Sequence, residues 1–115
     1  MAVLLSKVNN EALVPKLDVA SQMWPRMKGL LGTQELHQGQ GLWIHQCNSI
    51  HTFFMNYPID CVFLDKKMKV MYLVENILPW RITFPKWGAD SVVELPAGQV
   101  NHLKIKLGDE MYVGY

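Results

Sequence analysis

The sequence predicts an α+β fold: a compact sheet-dominated domain, barrel-like or built on a strongly curved mixed sheet, with one main helix and short helical turns. Three observations lead there. Short apolar runs bounded by turn residues recur along the chain, only one stretch carries apolar residues at helical spacing, and Cys61-Val62-Phe63-Leu64 is apolar throughout, as expected of a strand covered on both faces. The length of 115 residues suits a single domain over residues 1–115, since domains most often run to about 100–150 residues.

Taken in order, Ala2 to Leu5 and Glu11 to Val14 are apolar runs on either side of Asn9-Asn10, and Asn tolerates the left-handed backbone of tight turns. An opening hairpin follows. From Ala20, the residues Met23, Trp24, Met27 and Leu31 fall on one helical face, with Asp18 or Ser21 as cap, Pro25 near a first-turn position or break, and Gly32 as the stop. Past Gly39 and Gly41 the chain turns to extended pieces at Leu42 to Gln46, Asp60 to Asp65, Lys69 to Glu75 and Ser91 to Leu95. Met68, Val70, Tyr72 and Val74 share one parity while Lys69 and Glu75 take the other, so that strand has a wetter face. The Cys61–Leu64 strand should be central. Asp65-Lys66-Lys67 lacks the Gly of a two-residue turn, which argues for a turn of three to five residues. A helical turn through Asn101 and Leu103, between Gly98 and Gly108, precedes a closing strand with Met111 and Val113.

Composition restricts the functional classes. Eleven basic and ten acidic residues give a net charge of +1, and no sustained basic stripe is present, which argues against nucleic acid as partner. The Lys66, Lys67, Lys69 cluster and the Lys104, Lys106 pair suit solvated strand edges, where lysine deters aggregation. No apolar run approaches the roughly 20 residues of a membrane-spanning helix, and the early Ser6 and Lys7 interrupt any secretory signal, so the expectation is a cytoplasmic domain with no membrane span. In that compartment Cys47 and Cys61 should be free thiols.

The ordered blocks Arg26-Met27-Lys28-Gly29-Leu30-Leu31-Gly32, Gly41-Leu42-Trp43-Ile44, Ser49-Ile50-His51-Thr52-Phe53-Phe54-Met55, Pro58-Ile59-Asp60-Cys61-Val62-Phe63-Leu64-Asp65, Glu94-Leu95-Pro96-Ala97-Gly98 and Gly108-Asp109 resemble the family known as domain of unknown function 192, over about residues 15–113. The resemblance implies a compact, mainly β prokaryotic domain with no agreed activity; no cofactor is expected from the residues. Arg26, Gly29, Asp60, Glu94, Gly98 and Asp109 would be its structural motif residues. Thr33 and Asn56 stand where that family often carries a basic side chain.

Chemistry-bearing residues concentrate between His45 and Asp65. Trp43, His51, Phe53, Phe54, Met55, Tyr57 and Trp80 could wall a pocket beside Asp60, with Trp43, His51, Phe54, Met55, Asp60 and Trp80 as ligand-binding residues; the plainer alternative is that the rings fill the core. Cys47 as thiol nucleophile, His51 as base and Asp60 as orienter would make a catalytic set. Cys47 and His51 could also share a metal, but in an extended segment they would lie about 13 Å apart at roughly 3.3 Å per residue, so a turn or helix is required. Otherwise Cys47 is a small buried hydrophobe and His51 is satisfied by backbone. Asp60, heading an apolar strand, needs fixed donors, with Arg26, His51 or the amides of Asn56 to Pro58 as candidates. Arg26 could also grip a carboxylate in two-pronged fashion. Asp65 and Asp109 read as turn caps, and Glu94 could close the Pro-Ala-Gly turn or form an ion pair. The reading that results is a binding module for an unknown small molecule or protein, with an enzyme centred on Cys47, His51 and Asp60 as the alternative.

Overall fold

The computed structural model describes residues 2–20, 36–53 and 55–115. Among them seven strands and one short helix form: β1 (Ala2–Ser6), β2 (Ala12–Ala20), β3 (Gln40–His45), β4 (Ile59–Leu64), β5 (Val70–Ile77), β6 (Ser91–Pro96), α1 (Gln99–His102) and β7 (Met111–Gly114). The expected main helix lies outside the described residues, apart from Ala20, which ends β2 as strand.

The opening hairpin forms around Asn10 at φ 59, with the Asn9 side-chain oxygen accepting from the Glu11 amide at 3.0 Å. β2 runs further than its apolar pattern suggests because it serves two neighbours. Its first half pairs antiparallel with β1, and Lys16 to Ala20 pair parallel with Gln40 to Ile44 of β3. The changeover falls where Leu4 faces Val14 but Ala2 faces Leu17, an extra residue on β2 at the position of Pro15, which has no N–H to place in a ladder.

The strands form one mixed sheet in the order β5-β4-β6-β3-β2-β1-β7. The sheet is mixed and not closed, so of the two forms that the sequence allowed, barrel-like or curved mixed sheet, the barrel-like one is not reached. Near their ends the two outer strands meet through the Lys69–Glu110 bridge and through hydrogen bonds from Val70 N–H to Asp109 C=O and Gly108 N–H to Val70 C=O, both at 2.8 Å, and from Met111 N–H to Met68 C=O at 3.0 Å. Every residue of β4 is buried, as expected of its unbroken apolar run, although it lies second from the edge and β3 holds the centre. The turn after β4 has the expected longer form, with Met68 at φ 64 and Asp65 Oδ1 accepting from the Lys67 and Lys69 amides at 2.8 and 3.0 Å.

Alternation along β4 and β6 sends side chains to two cores. Val62, Leu64, Val93 and Leu95 pack with Leu4, Val14, Leu17 and Val100. Ile59, Cys61, Phe63 and Val92 pack with Leu42, Ile44, Ile50 and Met55 on the opposite face. The single parity expected for the next strand is not kept along β5. Val70 joins the first core and Tyr72 and Val74 the second, because the β4–β5 register shifts at Phe63/Leu64.

Candidate functional site

Asp60 faces Leu95 across the β4–β6 ladder with its carboxylate fully buried. Its donors are all backbone amides. Oδ1 accepts from Asn76 N–H at 2.8 Å, and Oδ2 accepts from the N–H groups of Gly98 and Val100, both at 3.0 Å. Fixed donors were expected, but not these ones. Gly98 adopts φ 93, a backbone that only glycine enters without strain, and it stands at the N-cap of α1, where it has no side chain to cap with. Asp60 supplies the missing cap oxygen from 38 residues away and ties β4 to the end of β5 and the start of α1.

Glu94 behaves oppositely. It is fully buried on the Cys61 side of the sheet, and neither carboxylate oxygen has a hydrogen-bond partner among the described residues. It therefore neither closes the Pro-Ala-Gly turn nor ion-pairs with any described residue, and burial pushes its carboxyl up to about 8. The neighbouring thiols of Cys47 and Cys61 are free, and burial raises both, with the Glu94 charge adding to the effect.

The hydrogen bonds of Cys47 and Asp60 go to backbone groups. The Cys47 thiol donates to Ser49 C=O at 2.8 Å, and Asp60 is committed to three amides. His51 is lowered by partial burial, and its Nδ1 accepts from Phe53 N–H at 3.3 Å. A raised thiol gives little of the thiolate that nucleophilic catalysis uses. No group of three or more His, Cys, Asp or Glu side chains is placed to hold a metal ion among the described residues.

The ring-bearing residues separate as well. Trp43 packs on the first core and tilts against His45 at 3.9 Å, while Met55 is buried in the second. Phe54 lies outside the described residues, as do Arg26 and Gly29. His51 and Trp80 do come together, joined by Phe53: the ring centroids are 4.8 Å apart from His51 to Phe53 and 5.9 Å from Phe53 to Trp80, each pair stacked. Among the described residues, His51 and Trp80 thus meet in a ladder of rings, while Trp43 and Met55 pack into the two cores on opposite faces of the sheet. A depression of about 460 Å³ is lined by Ser6, Glu11, His102, Lys104 and Asp109 among others, and by none of the expected ligand-binding residues. Asp109 caps the turn beside it, accepting from Lys106 N–H at 2.8 Å.

The ladder belongs to a two-stranded ribbon in which residues 50–52 run antiparallel to 81–83. Thr52 N–H donates to Arg81 C=O at 2.8 Å and Thr83 N–H to Ile50 C=O at 2.9 Å, on either side of the His51–Ile82 pair. Two threonine hydroxyls lock it. Thr52 Oγ1 donates to Leu78 C=O at 2.6 Å and accepts from Arg81 N–H at 2.8 Å, and Thr83 Oγ1 accepts from Ile50 N–H at 3.0 Å. Ile50, Thr52 and Thr83 are buried, whereas Trp80, Ile82, Phe84 and Trp87 are 56%, 69%, 85% and 81% exposed. Ile82, Phe84 and Trp87 were missed from sequence. Their signal was the period-two alternation of Trp80, Ile82 and Phe84 between Pro79 and Pro85, hidden by a segment too short and proline-flanked to read as a strand.

Comparison with known proteins agrees with this fold. A UPF0127 protein of Thermococcus sibiricus is 30% identical over 112 residues, covering 94% of this chain and 72% of the relative. One from Pyrococcus abyssi is 43% identical over 63 residues, 55% of this chain and 53% of that protein. Two solved structures share the fold. A protein of unknown function from Novosphingobium aromaticivorans aligns with TM-score 0.77 at 21% identity, covering 96% of this chain and 82% of that one. A Sinorhizobium meliloti chain described as a candidate transcription regulator aligns with TM-score 0.80 at 19% identity, covering 97% and 91%. The family model described as uncharacterised ACR matches residues 5–113, and the chain accordingly belongs to the domain of unknown function 192 family, whose curated relatives are named UPF0127.

Proposed function

We propose that the protein is a binding module that takes up its partner, a small molecule or another protein, on the outer face of the 50–52/81–83 ribbon rather than in a pocket at Asp60. The observation that carries this is the stacked His51–Phe53–Trp80 ladder on a hydroxyl-locked backbone whose second strand and its continuation also expose Ile82, Phe84 and Trp87. Large exposed apolar area on a held scaffold is the pattern of a contact surface, because stacked rings lose little conformational freedom when a partner covers them. Trp80 sits at φ 63, a backbone unfavourable for a bulky L-residue, so the fold tolerates strain at the position where the ladder meets solvent.

Catalysis by Cys47, His51 and Asp60 is disfavoured because the Asp60 oxygens are taken up by three backbone amides and burial raises the Cys47 thiol. The name of the Sinorhizobium protein points to gene regulation for that protein; at 19% identity it argues for the fold only, and a net charge of +1 adds no argument for nucleic acid as partner.

A thermal-shift and tryptophan-fluorescence screen of a metabolite and peptide panel against wild type and the Trp80→Ala/Phe84→Ala double variant tests the reading. A compound that binds the native ribbon raises the melting temperature of wild type and leaves the variant unmoved. Ligands that shift both proteins equally, or a panel without any wild-type shift, would refute it.

A further inference from the structure

The ribbon has a vacant side as well as an exposed face. In an antiparallel pair, a residue whose flanking positions carry the cross-strand hydrogen bonds turns its own N–H and C=O away from the partner strand. Ile82 is such a residue, since the bonds to its neighbours come from Thr52 N–H to Arg81 C=O and from Thr83 N–H to Ile50 C=O. Among the described residues no hydrogen bond engages the backbone of Ile82 or Phe84, and both residues are largely exposed. From residue 82 to residue 84 the chain is therefore an unpaired strand edge with Ile82 and Phe84 beside it. Native proteins usually blunt such an edge or use it.

Charge narrows the occupant. Between Asn76 and Ala89 the only charged residues are Arg81 and Lys86, and neither has a carboxylate within ion-pair distance among the described residues. A second copy of this chain would bring Arg81 and Lys86 against their own kind. An acidic partner would meet them with opposite charge. Resting on the ribbon as the binding surface, we propose that the Ile82–Phe84 edge accepts one extended segment of another protein as an added strand, the segment alternating apolar and acidic side chains. Main-chain hydrogen bonds to Ile82 give the docking, the apolar residues cover the ring face, and the carboxylates approach Arg81 and Lys86.

The probe is a blocked hexapeptide of alternating valine and glutamate, titrated into ¹⁵N-labelled full-length protein. Saturable binding is expected, with the Ile82 and Phe84 amide resonances moving and their hydrogen exchange slowing at least tenfold. A valine–lysine peptide should bind at least tenfold more weakly, and so should the valine–glutamate peptide N-methylated on its edge-facing amides. Ile82→Pro removes the outward N–H while leaving the Thr52 and Thr83 bonds available, and it should weaken binding by a similar factor. If that variant melts early, the N-methylated peptide against wild type decides alone. Binding at the ribbon that survives both N-methylation and Ile82→Pro would overturn strand addition while leaving the ring face as the binding surface. No binding by wild type at millimolar peptide would overturn the proposal, as would adsorption to phosphatidylglycerol vesicles or dimerisation through this edge in its place. Peptide-induced shifts confined to residues away from 50–53 and 78–87 would sink the ribbon reading itself.

Discussion

Asp60 and Glu94 are two buried carboxylates whose register neighbours, Leu95 and Cys61, sit side by side on the β4–β6 ladder, and their environments make them opposites. Asp60 accepts three amide hydrogen bonds, so Asp60→Asn, which turns an NH₂ toward at least one amide, should lower stability by on the order of 2 kcal/mol in urea titration, and Asp60→Ala by about twice that. Glu94 has no described partner, and its carboxyl is raised by burial from 4.5 to about 8. The native state therefore keeps a proton that the unfolded chain has released, and stability falls as pH rises through the window from about 4.5 to about 8, by up to roughly 5 kcal/mol at 1.36 kcal/mol per pKa unit. His51, lowered by burial, works the other way: its share of stability rises as pH passes its unfolded value of 6.5. Comparing wild type with Glu94→Gln isolates the glutamate. The variant should gain stability relative to wild type between pH 5 and pH 8, and an unchanged difference across that range would disprove the buried proton. At this scale the sequence showed that a carboxylate amid apolar residues must be met by something. It could not show by what, because the three amides come from segments 16, 38 and 40 residues away.

Elements were legible where local pattern and local hydrogen bonding agree. The Asn9-Asn10 hairpin, the Asp65 turn and the β4 run formed as patterned because turn chemistry and apolar parity act within a few residues. The second half of β2 was not legible, since its parallel pairing with β3 is a tertiary choice, and the ribbon was not legible because two threonine hydroxyls hold it rather than a strand-forming run. Close packing across β3 gives a test. A Cβ at Gly41 would lie 3.0 Å from Leu95 Cδ2 and from Val14 Cγ1 and 3.2 Å from Glu94 C=O, so Gly41→Ala should destabilise by about 1–3 kcal/mol in spite of alanine's lower chain entropy. In the ribbon, Trp80→Gly relieves the φ 63 backbone while Trp80→Ala does not, so the glycine variant should be the more stable of the two by about 1 kcal/mol by thermal unfolding. Equal stability would show that the φ 63 backbone at residue 80 carries no strain.

For the whole molecule, one sheet with a buried strand near one edge and a hydroxyl-locked ribbon beyond it implies unequal stability across the structure. β4 is hydrogen-bonded on both sides and buried at every residue, so its amides can exchange only when β5 or β6 leaves, which removes packing on both faces at once. The ribbon has its hydrogen bonds between residues 48–52 and 80–86 and exposes most of its large side chains, so it can open while the sheet persists. Within it the amides differ by position: Thr83 N–H is bonded to Ile50 C=O, whereas the Ile82 and Phe84 amides have no acceptor among the described residues. Native-state hydrogen exchange should therefore resolve three classes. Val62 and Phe63 should exchange at the global unfolding free energy, Thr83 at a lower sub-global value, and Ile82 and Phe84 at close to the rate of an unstructured chain. Denaturant should act accordingly, speeding Val62 and Phe63 with the full surface dependence of unfolding and Thr83 with only a fraction of it. Protection of Ile82 equal to that of Thr83 would mean that the edge is already filled in the isolated protein, and uniform protection throughout would mean that ribbon and sheet unfold as one.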